Sequence, residues 1–235
     1  MDSIVRSASV YREKAYKEEV EWLNFWIETC DKKNRILLIG DSTSRLVRSS
    51  LAKLTDMPVD FIGSSSHMLD EYLLRQIEFF FELVPYDYVM IHIQLGCHGI
   101  ESLPEEVDKD LFYQEYKEQY GNVIRYLQKK AKCVVLGTTT QIVKYSPPKN
   151  PILSKIYMHF HPVKSEIPDP AYECDIIRRN SILKELAEEF HIECDDLYSY
   201  LADSELKFRH VDHVHYEKKA KMYIAKKIAS YLENV

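Results

Sequence analysis

Residues 35–45 read RILLIGDSTSR, a short apolar run that ends in Gly40-Asp41-Ser42 and passes at once into a stretch with helical spacing. Four consecutive apolar residues, Ile36 to Ile39, suit a strand covered on both faces, since a strand covered on one face alternates instead. Downstream, Leu46, Val47, Leu51 and Leu54 fall on one helical stripe. The segment therefore reads as strand, tight turn, helix. The same alternation recurs along the chain. Pro58–Ile62, Asp87–Leu95, Lys132–Gly137 and His191–Cys194 are the further strand candidates, and Ala220, Ile224, Ile228 and Leu232 stripe a last helix. Strand and helix in turn predict an α/β fold, a three-layer α/β/α sandwich around a central, mostly parallel sheet of about five strands.

Outside that pattern lie two segments. Tyr11–Cys30 sets Val20, Leu23 and Trp26 among charges, which predicts an outer helix and makes residues 1–33 a helical N-terminal extension. Residues 145–172 hold six of the nine prolines together with His159 and His161, which predicts an irregular lid or insertion loop over the ligand crevice. No repeat and no Ser/Gly linker divides the chain, so residues 1–235 read as one domain.

Composition excludes several classes. The 235 residues carry 31 Lys and Arg against 37 Asp and Glu, a net charge of −6, so no basic excess favours nucleic acid or an anionic membrane. The five cysteines are scattered and form no C-x-x-C pair, which argues against a zinc site or a disulfide framework and for a reducing compartment. No run approaches the roughly 18 apolar residues of a membrane span. The expectation is a soluble, cytoplasmic protein.

In a parallel α/β sheet the ligand crevice lies beyond the carboxyl ends of the strands. Ser42 stands there, at the N-terminus of a helix whose unpaired N–H groups and dipole favour a developing negative charge. Asp41 or Ser42 serves equally well as an N-cap, so the tripeptide alone decides little. Near the C-terminus, Asp212 and His215 lie three apart, close enough for the carboxylate to accept from Nδ1 and leave Nε2 facing a nucleophile.

Gly40-Asp41-Ser42 after the first buried strand, with Asp212-x-x-His215 before the last helix, resembles the first and last sequence blocks of the SGNH hydrolases, also called GDSL esterases or lipases. Gly63 follows the second strand as the glycine of the family's second block does. The third strand runs into Leu95-Gly96-Cys97-His98-Gly99, where the family has Gly-x-Asn-Asp. The resemblance spans Arg35 to the C-terminus. It implies that Ser42 is the nucleophile, His215 the general base and Asp212 the group that orients it. It implies oxyanion donors at Ser42 N–H and Gly63 N–H, with the His98 ring in place of the family's asparagine. It implies no cofactor and no metal. The expected activity is hydrolysis of a carboxylic ester, of a small acyl or O-acetyl group on a small molecule or carbohydrate, with an O-acyltransferase using the same Ser/His pair, or a decayed binding domain, as the alternatives.

Asp41, Arg45, Thr138 and Thr139 are the candidate substrate-binding residues, by their place at or just after strand ends. Capping the strand, for the threonines, and a surface helix position, for Arg45, are the rival readings. The His210, Asp212, His213, His215 cluster raises metal binding as a further alternative, with His98, His159 or His161 as the added ligand. His92 reads as a hydrogen-bonded core residue. Cys97 reads as an inert thiol, and Arg178, Arg179 and Asn180 as the solvated face of a helix.

Overall fold

The computed structural model describes residues 23–30, 32–98, 108–144, 150–160 and 167–234. In chain order the elements are β1 (Leu23–Trp26), β2 (Arg35–Gly40), α1 (Ser42–Leu51), β3 (Val59–Ser64), α2 (Glu71–Leu83), β4 (Tyr88–Gln94) and α3 (Lys109–Leu127). There follow β5 (Ala131–Gly137), α4 (Pro151–Phe160), α5 (Pro170–Phe190), β6 (Glu193–Asp195), α6 (Leu197–Ala202), α7 (Lys218–Ser230) and a closing 3₁₀ turn (Tyr231–Asn234).

The strands form one six-stranded sheet in the order β1-β3-β2-β4-β5-β6. All neighbours run parallel except β1, which pairs antiparallel with β3 from Leu23 opposite Ser64 to Trp26 opposite Phe61. Because successive side chains of a strand point to opposite faces, the continuous apolar runs feed two cores. Leu37, Ile39, Ile91, Ile93, Val134 and Leu136 meet α2, α3 and α5 on one side. Ile36, Leu38, Phe61, Met90 and Val135 meet α1, α6 and α7 on the other. Each Ile or Leu buried in this way contributes roughly 1.5–3 kcal/mol, which is why strands only six or seven residues long hold their register.

The structure corrects two expectations. Leu23–Trp26 is an edge strand rather than part of a helix, and residues 1–22 lie outside the described residues. It is four residues long and half exposed, so it lacks the continuous apolar run that marks the central strands. Within 145–172, the described part is not an irregular loop: α4 occupies Pro151–Phe160, and Pro170 sits in the first turn of α5, where a missing N–H costs nothing. Residues 145–149 and 161–166 lie outside the described residues, as does the side chain of His159. No helix among the described residues is long and apolar enough to cross a membrane.

Candidate active site

The chain leaves β2 to one side, through β3, and then crosses to the other side of β2 to lay down β4. A crevice opens at such a switch point, beyond the carboxyl ends of β2 and β4. Gly40 closes β2 in a space that admits no side chain, since a Cβ there would lie 2.1 Å from Ser44 Oγ and 2.7 Å from the Gln94 carbonyl oxygen. The turn can therefore press against β4. Ser44 Oγ donates to Gln94 Oε1 at 3.0 Å and fastens the two strand ends together. Asp41 is the N-cap of α1, its Oδ1 accepting from Thr43 N at 2.8 Å, an arrangement that stabilises a helix by about 1 kcal/mol. Ser42 is then the first residue of α1, at the positive end of the helix dipole.

The loop before α7 supplies the partners. Asp212 Oδ1 accepts from the backbone N–H of Val214 (2.8 Å) and of His215 (2.7 Å), which turns the chain tightly. Asp212 Oδ2 then lies 2.7 Å from His215 Nδ1, and His215 Nε2 lies 2.6 Å from Ser42 Oγ. Burial alone would raise the Asp212 carboxyl, but the hydrogen bonds from the His215 ring and from the two backbone N–H groups outweigh it and hold the group down at about 2. An ionised carboxylate only accepts, so Nδ1 carries the proton and, in the neutral ring, Nε2 is left as an acceptor aimed at the serine hydroxyl.

Other expected site residues sit differently. Asp41 is fully buried, committed to the cap of α1 and close to Cys97, so it has no surface for substrate. Burial, with the Asp41 carboxylate nearby, pushes the Cys97 thiol well above its ordinary value, which leaves a poor nucleophile. Thr138 and Thr139 are also fully buried. Thr138 Oγ1 donates to Asp196 Oδ1 and accepts from Tyr198 N, tying β5 to α6, while the Thr139 side chain packs where a Cβ on Gly96 would fall. Arg45 lies exposed on α1. Gly63 is inside β3 rather than after it, level with Gly40 of β2 and Asn24 of β1. His98 follows β4, half-buried.

Sequence reasoning missed Arg179 and Asn180. Neither is solvated: both are buried on α5, whereas Arg178 is half-buried and pairs with Asp110. Their spacing held the signal, since they lie three and four residues after the buried Ile176 and four and three before the buried Leu183. The histidine cluster does not converge on a metal position. His210 turns Nε2 to the Gln141 carbonyl and stacks on Tyr216, His92 is buried against Asp195, and no group of three ligand-type side chains gathers among the described residues.

Two buried histidines, His67 in the segment between β3 and α2 and His210 before α7, make stability depend on pH. Burial, reinforced by the charges of Arg179 and His98, lowers His67 from 6.5 to about 3, and burial lowers His210 to about 4 despite its bond to Gln141. A folded value below the unfolded one means that protons bind the unfolded chain more readily, so this stability is complete above about 6.5 and is lost as pH falls from there toward 4 and 3. Each group contributes up to about 1.4 kcal/mol per pH unit across its window. Urea unfolding between pH 7 and pH 4 should show the fall, and His67→Gln should flatten it; a variant with the wild-type slope would remove His67 as a cause.

Fold and site together define an α/β/α sandwich with a Ser-His-Asp relay at its switch point. Among solved structures the fold is that of the SGNH hydrolases. A protein from Slackia heliotrinireducens assigned to those hydrolases matches with a TM-score of 0.54 at 16% identity, over 85% of this chain and 98% of that one. An acetylxylan esterase from Geobacillus stearothermophilus matches with a TM-score of 0.55 at 13% identity, over 87% and 96%. The C-terminal catalytic domain of peptidoglycan O-acetyltransferase A from Streptococcus pneumoniae matches with a TM-score of 0.55 at 16% identity, over 86% and 93%. No family model and no curated protein matches this chain.

Proposed function

We propose that this protein is an esterase that works through an acyl-serine intermediate and removes a small acyl group, of the O-acetyl kind, from a carbohydrate. The observation that carries the reading is the unbroken relay of Ser42 Oγ, His215 and Asp212, with contacts of 2.6 and 2.7 Å. His215 Nε2 takes the Ser42 proton as Oγ attacks the ester carbonyl, and the imidazolium is held by the ionised Asp212. The tetrahedral oxyanion forms beside the N-terminus of α1, where Ser42 N–H and the helix dipole favour it, with the His98 ring as side-chain donor. His215 returns its proton to the leaving alcohol, then removes one from water; the hydroxide attacks the acyl carbonyl, the bond to Oγ breaks to release the acid, and His215 passes its proton back to Ser42 Oγ.

Support for a carbohydrate substrate comes from the neighbours, two of which are named for acetylxylan and peptidoglycan O-acetyl chemistry. The 17 tyrosines of the chain add little to this reading, because Tyr88, Tyr113, Tyr116, Tyr120, Tyr216 and Tyr231 are all core residues. The O-acetyltransferase neighbour gives acyl transfer as the second reading, whereas the intact relay weighs against a decayed site.

Acetate release from acetylated xylo-oligosaccharides and p-nitrophenyl acetate tests the proposal, with free sugars added to trap a transfer product. Release with no acetylated acceptor supports the esterase, a transfer product supports the second reading, and no turnover of any acetyl ester by folded protein sinks both. His98→Ala is expected to lower kcat by roughly ten- to a thousandfold with KM little changed. An unchanged kcat would make His98 a bystander.

A further inference from the structure

Behind the relay, one helix reaches into both strand-end loops of the crevice. On α5, Asn180 accepts from Thr139 N at 2.8 Å and donates to Thr139 O at 2.9 Å, holding the segment after β5. Its neighbour Arg179 has no exposed surface. One terminal nitrogen of its guanidinium, Nη1, donates to two carbonyl oxygens of the segment after β4, that of Gly96 at 3.3 Å and that of His98 at 2.9 Å. The guanidinium packs near the rings of Tyr116 (5.3 Å) and Phe112 (5.9 Å) of α3. Gly96 is pressed from the other side by Thr139, whose Oγ1 would meet a Cβ there at 1.5 Å. Residues 96–98 are thus gripped between α5 and the end of β5.

A buried full charge is costly unless its bonds are made well, and these bonds go to the backbone that carries His98. We propose that Arg179 is a positioning residue for ester cleavage: it fixes the Gly96–His98 backbone and thereby the point at which the His98 ring meets the oxygen of the tetrahedral intermediate. The catalytic half of this proposal rests on the esterase reading, while the clamp itself stands without it. Lysine would keep the charge but lose the rigid plane packed against Tyr116 and Phe112.

Two measurements test it. Native-state hydrogen exchange on the wild-type chain is expected to show the Cys97 and His98 amides slowed at least a hundredfold against an unstructured peptide. Exchange at the free rate overturns the clamp whether or not the protein is an esterase. With p-nitrophenyl acetate, Arg179→Lys and Arg179→Gln are expected to lower kcat about ten- to a hundredfold, as displacement of about 1 Å does, with KM within threefold. Arg178→Lys, one residue away and paired with Asp110 at the surface, serves as the control with unchanged kcat. In a His98→Ala background the Arg179 changes should add less than threefold, because they act through His98. Losses that multiply in full, or a kcat that Arg179→Lys and Arg179→Gln leave unchanged, overturn the positioning role, and a wild-type chain with slow exchange but no esterase activity refutes the esterase reading alone.

Discussion

Ser42→Ala is expected to reduce ester turnover by about 10⁵ to 10⁶-fold while leaving the fold in place. The size follows from what the hydroxyl does: without Oγ no acyl-enzyme forms, and only the binding and oxyanion contributions remain, worth some 10³ to 10⁴ over water. The fold should survive because Ser42 is half-exposed and the cap of α1 belongs to Asp41. Intact mass after treatment with a fluorophosphonate gives a readout that needs no knowledge of the substrate. One adduct should appear on the wild-type chain and none on Ser42→Ala. His215→Ala should lose nearly as much, and the double variant hardly more than either single one, since the two side chains form one unit. An adduct that persists in Ser42→Ala would move the nucleophile elsewhere, and Cys97 is a poor replacement given its raised thiol.

The central strands are legible because RILLIG and the run around Met90 are apolar at most positions, Arg35, His92 and Gln94 excepted, a pattern set by burial on two faces. Asp212 and His215 were legible because a carboxylate and an imidazole three residues apart meet within one tight turn. Long-range partnership was harder to read. Thr138 and Thr139 stand at a strand end, a place that in sequence points to the crevice, and only Asp196 and Tyr198, distant in sequence, show that the Thr138 hydroxyl is spent on structure, while Asn180 holds the Thr139 backbone. The charge of Arg179 points to solvent while its spacing points inward, and charge misleads when a helix buries a guanidinium to hold backbone. Gly63 lies within a strand rather than just after one, because β3 runs on to Ser64.

Asp212→Asn should lower kcat by about 10³ to 10⁴-fold although it removes no bulk and leaves the loop folded. The amide Oδ1 can still accept from Val214 N and His215 N, so the turn that presents His215 persists. What changes is the second atom. In place of Oδ2, an NH₂ group would face His215 Nδ1 across 2.7 Å, and two donors cannot share that contact. Nδ1 must become the acceptor, the proton moves to Nε2, and Nε2–H then points at Ser42 Oγ instead of a lone pair. The base is present in the tautomer that cannot take a proton, and the negative charge that steadies the imidazolium is gone. Because the Asp212 carboxyl sits at about 2, its carboxylate is ionised throughout the range above about pH 3, so the wild-type acid limb of kcat cannot come from this residue. The variant should lose its activity with no change in KM beyond a few-fold and with urea stability close to wild type at pH 7. A kcat within tenfold of wild type would mean that Asp212 merely shapes the loop, and that the orientation of His215 is set elsewhere.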